Sequence, residues 1–318
     1  MKVWTLPVFI VFLLSGLNAG CVKEAVVRSG KIDREPVLMA RFTGHMDDTS
    51  AVRLTWSTTA EAGSVEIPED ARVAYYLDGQ IVGEARPDKD GYCEIPRNFP
   101  RSGQAFTVEA HVPGLAPVTA TDTMPYGSPV LEASFRPAGF YDEEETYVQS
   151  AKVKLYDPPG VRNYYEMSFF QAYDGGASYF FITFEADAVI KNEGDLEFEP
   201  MTYFFSDELF DGQIVEIEIL LRGYVASGER LDHRPFYLLE DGHYLLFRTI
   251  SRNWYDYLKA YTRHRYTRLV GQGLSGGTTF QDLQNLLFAP EPTPMFSNVE
   301  NGLGAVAGAH TQIIKMDE

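Results

Sequence analysis

One segment of the sequence has the residue types and spacing of a nucleophilic site. Gly273-Leu274-Ser275-Gly276-Gly277 fits the pattern G-x-S-x-G, in which a serine stands on a sharp turn between a strand and a helix. Asp282 and His310 follow in the order that an acid and a general base would need. The surrounding chain lacks the alternation of strands and helices that this chemistry requires. We therefore interpret the glycines of this motif as a loop.

Three acidic residues offer a second chemistry. Asp195, Glu197 and Glu199 alternate along the chain, and a strand would place them on one side, as the two carboxylates of a glycosidase require. The same alternation is typical of any strand with a solvent-exposed face. The six histidines show neither H-x-x-x-H nor H-E-x-x-H spacing, which argues against zinc. We therefore predict no catalytic residue, no metal and no cofactor, and we expect that the protein is not an enzyme.

A third chemistry, acylation of a cysteine, is indicated at the N-terminus. Lys2 precedes the apolar run Val3–Leu17, which is too short to cross a bilayer and is typical of a signal peptide. Small residues then lead to Cys21, in a pattern that resembles a bacterial lipobox. The sequence predicts a lipoprotein signal peptide at residues 1–20, a lipid on Cys21 and a tether over residues 21–36. The alternative is an ordinary secretory signal that happens to be followed by cysteine.

Charge and composition limit the remaining classes of function. The 318 residues contain 27 Lys+Arg against 45 Asp+Glu, a net charge of -18, which argues against nucleic acid as a partner because few cations are left to neutralise phosphates. An aromatic content of 14% favours pleated sheet. With Cys21 acylated, Cys93 has no partner within the chain, so no disulfide is predicted.

The pattern of apolar residues predicts two mainly β domains. Short alternating runs with frequent turns indicate an Ig-like or transthyretin-like β-sandwich over residues 37–125. A Pro/Gly-rich linker follows, and longer strands then indicate a larger antiparallel β domain over residues 129–318. Ser251 begins a predicted helix near residues 251–270, because apolar residues recur there at helical spacing. A second, shorter helix is predicted over residues 279–288.

Four motifs occur in a fixed order along the chain. They lie at residues 156–165, 205–212, 250–259 and 296–304. This sequence resembles the DUF4249 family of uncharacterised Bacteroidetes lipoproteins. The resemblance implies an outer-membrane lipoprotein, often encoded beside a TonB-dependent receptor, and it supplies no catalytic residues.

The motifs also have structural interpretations. Asp157-Pro158-Pro159-Gly160 predicts a turn between strands, and Asp211-Gly212 predicts another. The segment 298–304 predicts tight backbone packing, with partner contact by Asn298, Glu300 and Asn301 as the alternative. Asp122-Thr123-Met124 resembles an O-glycosylation signal of Bacteroidetes, which would place a glycan on Thr123.

Three functions remain open from the sequence. The first is a non-enzymatic, lipid-anchored envelope protein that serves as an accessory or ligand-binding partner of an outer-membrane TonB-dependent transporter. The second is a surface glycan hydrolase whose carboxylates converge only in the fold. The third is a structural or adhesive surface lipoprotein. The outer membrane is the expected location in each case, on either its periplasmic or its external side.

Overall fold

The structure is a computed structural model that describes residues 34–43, 51–58, 65–94, 99–143, 145–173, 176–180, 183–198, 200–222, 239–271 and 293–317. The predicted signal peptide, Cys21 and most of the predicted tether lie outside these residues. The serine motif at 273–277 and the predicted second helix at 279–288 also lie outside them.

The described chain is mainly β, as the sequence predicts. Its strands, in chain order, are β1 (Pro36–Thr43), β2 (Ala51–Trp56), β3 (Arg72–Leu77), β4 (Gln80–Ala85), β5 (Tyr92–Cys93), β6 (Ala105–His111), β7 (Val118–Thr123), β8 (Val130–Tyr141), β9 (Tyr147–Tyr156), β10 (Tyr164–Tyr173), β11 (Gly176–Phe180), β12 (Thr183–Ala186), β13 (Tyr203–Ser206), β14 (Ile214–Arg222), β15 (Gly242–Ile250) and β16 (Leu303–Lys315). The helices are α1 (Ala188–Lys191) and α2 (Arg252–Gly271), with short 3₁₀ turns at Leu196–Phe198 and Asp207–Leu209.

The strands form three sheets. The central sheet has the order β11-β10-β15-β16-β1-β2-β5, and β13 also pairs with β10. The N-terminal sheet has the order β4-β3-β6-β7, and the C-terminal sheet has the order β12-β14-β9-β8. Strands β1 and β16 pair in parallel, whereas the other pairs of named strands are antiparallel.

Two apolar cores lie against the same face of the central sheet. In the N-terminal core, Phe42 of β1 stacks on Tyr75 of β3, with ring centroids 4.7 Å apart, and packs against Phe106 of β6 at 4.8 Å. In the C-terminal core, alternate residues of β9 and β14 pack against Tyr165 and Phe247. The alternation in β6, β9 and β14 therefore places one apolar face inward, as a sandwich requires.

Helix α2 covers the opposite face of the central sheet. Trp254 and Leu258 pack on Ala307 and Ala309 of β16, whose small side chains leave room for the aromatic ring. The helix begins directly after Ser251, the predicted cap, and the Trp254 N–H donates to its Oγ at 3.4 Å. The prediction of this helix is confirmed.

One strand of the central sheet bridges the two domains that the sequence predicts on either side of residues 126–128. Residues 303–309 of β16 pair with β1, and residues 309–315 of the same strand pair with β15. A single strand near the C-terminus thus completes the sheet that supports both cores. From Glu35 onward the chain forms one compact unit.

Candidate functional site

Two loops, in the motifs at residues 156–165 and 205–212, bring three carboxylates together. Asp157 follows β9, Asp207 begins the 3₁₀ turn after β13, and Asp211 precedes β14. One oxygen from each lies within 4.8 Å of the others. We refer to these three residues as the aspartate cluster.

Asp157 is the centre of the cluster and is completely buried. The Tyr165 hydroxyl and the Asn163 side-chain amide donate to Oδ1, the latter at 3.1 Å. The Gly212 N–H donates to Oδ2 at 2.9 Å. Since its donors come from both loops, Asp157 joins the turn after β9 to the turn before β14.

The other two aspartates repeat this arrangement. The Asn163 N–H donates to Asp207 Oδ2 at 2.8 Å, and Arg162 Nε lies 3.3 Å from Oδ1. The Gly160 N–H donates to Asp211 Oδ1 at 2.9 Å. Burial raises the pKa of Asp207, the bond from Asn163 opposes that rise, and the charge of Asp157 adds to it.

The chemistry open to the aspartate cluster is limited by burial. Three carboxylate oxygens at this spacing are ligands that a hard cation such as Ca²⁺ would accept. Asp157 and Asp207 are 0% and 1% exposed, however, and backbone and side-chain donors already fill their oxygens. The hydrogen bonds of the aspartate cluster therefore connect the two loops.

A second polar group fixes α2 to the preceding part of the chain. Lys259 Nζ lies 3.0 Å from Glu193 Oε2 and 3.2 Å from Asp195 Oδ2. Arg263 Nε lies 2.7 Å from Asp195 Oδ1, and the Tyr255 hydroxyl donates to Glu193. Burial alone would raise the pKa of Glu193, but the hydrogen bonds from Tyr255 and Lys259 lower it overall.

Removal of the Glu193 charge should destabilise the fold. Glu193→Gln is expected to lower the free energy of unfolding at neutral pH by about 2 kcal/mol, because charge-assisted hydrogen bonds at a side chain only 7% exposed are lost. The folded-state pKa of Glu193 is lowered, so its contribution is present above the ordinary value of 4.5 and is lost as the pH falls through the folded-state value. Urea unfolding at several pH values should show a weaker acid dependence in the variant. Glu197→Gln, at an exposed position, is the control. An equal loss of unfolding free energy in the two variants would contradict this role for Glu193.

The motif at residues 298–304 packs against the backbone, as predicted. The side-chain amide of Asn298 donates to the Val306 carbonyl at 2.8 Å, and its oxygen accepts from the Val306 N–H at 3.0 Å. Glu300 forms a backbone bridge with Thr119, and the Asn301 amide donates to the Pro117 carbonyl at 2.9 Å. Glu300 and Asn301 are exposed, so partner contact by this motif stays a prediction.

Comparison with known protein families gives a match for this chain. A family described as "Domain of unknown function (DUF4249)" matches residues 37–313, which include strands of all three sheets and both polar clusters. The chain belongs to the DUF4249 family. A search of curated proteins found no match.

The predicted modification site of this DUF4249 protein lies at the end of β7. Thr123 is exposed, whereas the Asp122 carboxylate accepts from the Thr123 N–H at 2.8 Å and from the Gly308 N–H at 3.1 Å. Burial raises the pKa of Asp122, and hydrogen bonds from Ser251 and Asn253 oppose the rise. Asp122 thus ties β7 to β16 and to the start of α2. Glycosylation of Thr123 stays a prediction.

The catalytic candidates weighed in the sequence do not assemble among the described residues of this DUF4249 protein. The predicted strand around Asp195 is wrong, because Leu196–Phe198 is a 3₁₀ turn and Asp195 is buried between Lys259 and Arg263. His310 lies on β16 against the linker glycine Gly127. Glu199, Ser275 and Asp282 lie outside the described residues, as does Cys21.

Neither of the two polar clusters is predicted as a site from the sequence. Asp157 and Asp211 lie in predicted turns, as the structure has them, but no local pattern indicates that carboxylates so far apart in the chain lie together. Lys259 and Glu193 are separated by 66 residues. The one available signal was an aspartate beside proline or glycine in two motifs of the DUF4249 resemblance.

Proposed function

We propose that this DUF4249 protein is a non-enzymatic lipoprotein of the cell envelope, acylated on Cys21, that serves as an accessory or ligand-binding partner of an outer-membrane TonB-dependent transporter. The observation that carries the proposal is the placement of Cys21 directly after a short apolar run and three small residues. Two or three acyl chains at about 0.8 kcal/mol per buried CH₂ would make such an anchor effectively permanent.

The arrangement of acidic side chains supports a binding role over hydrolysis. A glycosidase needs one carboxylate that can donate a proton to the substrate and a second that can reach the sugar. Asp157 and Asp207 are buried, and Asp195 is paired with two cations. These groups stabilise loops and a helix, and their burial disfavours the glycan hydrolase.

The membrane anchor that we propose is the lipid on Cys21. None of the described helices is both long and apolar enough to cross a bilayer.

Replacement of Cys21 tests the anchor. Cys21→Ser should move the protein from the membrane pellet to the soluble fraction and abolish incorporation of labelled palmitate, because no thiol remains to be acylated. Cys93→Ala is the matched control, since it also removes one cysteine but at a buried position, and it should stay in the pellet. Membrane retention of the Cys21→Ser variant would reject the lipid anchor.

The partnership needs a separate test. The native protein should be solubilised from outer membranes in mild detergent and isolated through a C-terminal tag. A TonB-dependent receptor is expected to be isolated with the protein. The amount of receptor that remains after stringent washing would be compared with the amount that remains on an unrelated lipoprotein. Repeated isolation without a receptor would contradict the partnership and favour a structural or adhesive role.

A further inference from the structure

The loop between β6 and β7 has an unusual composition for an exposed segment. Pro113-Gly114-Leu115-Ala116-Pro117 is exposed at all five positions and contains no polar side chain. Leu115 itself is 47% exposed. Proline and glycine are usual in turns, but a run that adds exposed Leu115 and Ala116 and has no polar side chain is unfavourable in water unless it serves a contact. This run lies in a chain of net charge -18. We refer to residues 113–117 as the apolar loop.

The apolar loop is held in place before any contact is made. The Leu115 N–H donates to the Val112 carbonyl at 3.1 Å, which closes the turn. The Asn301 side chain donates to the Pro117 carbonyl at 2.9 Å, so the neighbouring motif holds the far end of the loop. A loop that is already ordered loses little conformational entropy when it binds.

The apolar loop lies beside the point where the chain leaves toward Cys21. A Cβ atom built on Gly302 would be 2.7 Å from the Pro36 carbonyl oxygen and 2.8 Å from Val118 Cγ1. Pro36 is the first residue of β1, and Val118 directly follows the apolar loop. Leu303, also at this end, is 40% exposed and pairs with Val37.

The length of the connecting segment limits how far this end can lie from an anchor. Residues 22–34 separate Cys21 from Glu35, and at about 3.5 Å per residue they can span at most about 50 Å. An anchor at Cys21 therefore keeps the start of β1 within about 50 Å of the membrane, so the apolar loop beside it can reach the lipid surface.

We propose that the apolar loop rests in the lipid surface that holds the anchor, with the Leu115 side chain among the upper acyl carbons. This inference rests on the proposed function for the anchor that brings the loop to the membrane. The exposed charged neighbours are two acids, Glu35 and Glu300, and one base, Arg34, so they give no excess of positive charge for anionic headgroups. The contact that we propose is therefore with zwitterionic lipid through apolar side chains.

An environment-sensitive fluorophore tests the contact. The mature chain, residues 22–318, would carry an N-terminal His tag and be held on phosphatidylcholine vesicles that contain a nickel-chelating lipid. This attachment replaces the acyl anchor, so the test remains valid even if Cys21 is not acylated. Nitrobenzoxadiazole would be attached at Leu115→Cys, while the native Cys93 is buried and the unaltered chain serves as the labelling blank.

Ile81→Cys is the matched control position. Ile81 is an apolar residue of the same sheet, 59% exposed, and it lies opposite Tyr76, toward the end of β3 away from the apolar loop. On binding to vesicles, the label at position 115 should shift its emission to shorter wavelength. Lipids with a nitroxide near the headgroup should quench it at least about threefold more than the label at position 81.

Each outcome decides the inference. Equal quenching at positions 115 and 81 would overturn it, as would a label at 115 that stays in water on vesicles. A shift at 115 that occurs only when an outer-membrane extract is added would also overturn it, because the loop would then bind a protein. Release of the Cys21→Ser protein into the soluble fraction reports on the anchor alone, so failure of the proposed function and failure of this inference are distinguishable.

Discussion

Gly304→Ala is expected to leave little or no folded protein. A Cβ atom at this position would lie 2.1 Å from the carbonyl oxygen of Leu38 and 2.8 Å from its carbonyl carbon. These are backbone atoms of β1 paired in register with β16, so neither strand can move aside without breaking the central sheet. The residue also has a φ of +119°, which a side chain disfavours. The combined cost should exceed about 4 kcal/mol, a large part of the stability of a typical domain.

Gly79→Ala provides the matched control for this prediction. Gly79 also has a positive φ, +78°, but an added Cβ would meet no atom within 4 Å. Its cost should be only about 1 kcal/mol, from the backbone conformation alone. Soluble yield and thermal unfolding would be compared for the two variants and the parent chain. Equal melting temperatures for the two variants would show that β1 and β16 are not as closely packed as the structure has them.

Local patterns account for the parts of the fold that the sequence predicted. The alternating runs of the N-terminal half, such as β6, and the start of α2 after Ser251 depend on residues within one strand or one helical turn of each other. Strand β15 was not predicted, because seven of its nine residues are buried and no alternation marks it. Burial on both faces removes the period-two signal on which the prediction depends.

Contacts between distant segments account for what the sequence could not predict. Val37 pairs with Leu303, and no local pattern in either strand identifies the other. The carboxylates of Asp157 and Asp207 likewise meet only after β9, β10 and β13 are in place. The sequence motifs predict the two loops, but the aspartate cluster forms only when the sheets are assembled.

Because β16 is shared between the two cores, the N-terminal half of the chain should depend on the C-terminal half for its folding. A fragment of residues 34–128 is expected not to fold by itself. It lacks Val299 and Val306, which belong to its apolar core, and it lacks the parallel partner of β1 over residues 37–43. The exposed edge of β1 would also offer unpaired backbone groups, so the fragment should aggregate.

The complementary half should restore the fold of the fragment. When residues 34–128 are refolded together with residues 129–318, β16 becomes available, and the amide resonances of the labelled N-terminal fragment should become dispersed in two-dimensional NMR spectra. A protease site introduced at the exposed Tyr126 of the intact protein gives a second control, because cleavage there should leave the two pieces associated. Independent, cooperative urea unfolding of residues 34–128 would show instead that residues 37–125 form a separate domain. If one strand is shared between the two cores, the pieces should stay associated after cleavage, and the first piece should not fold alone. In that case the sheet pairing, and not the covalent linker, holds the two halves together.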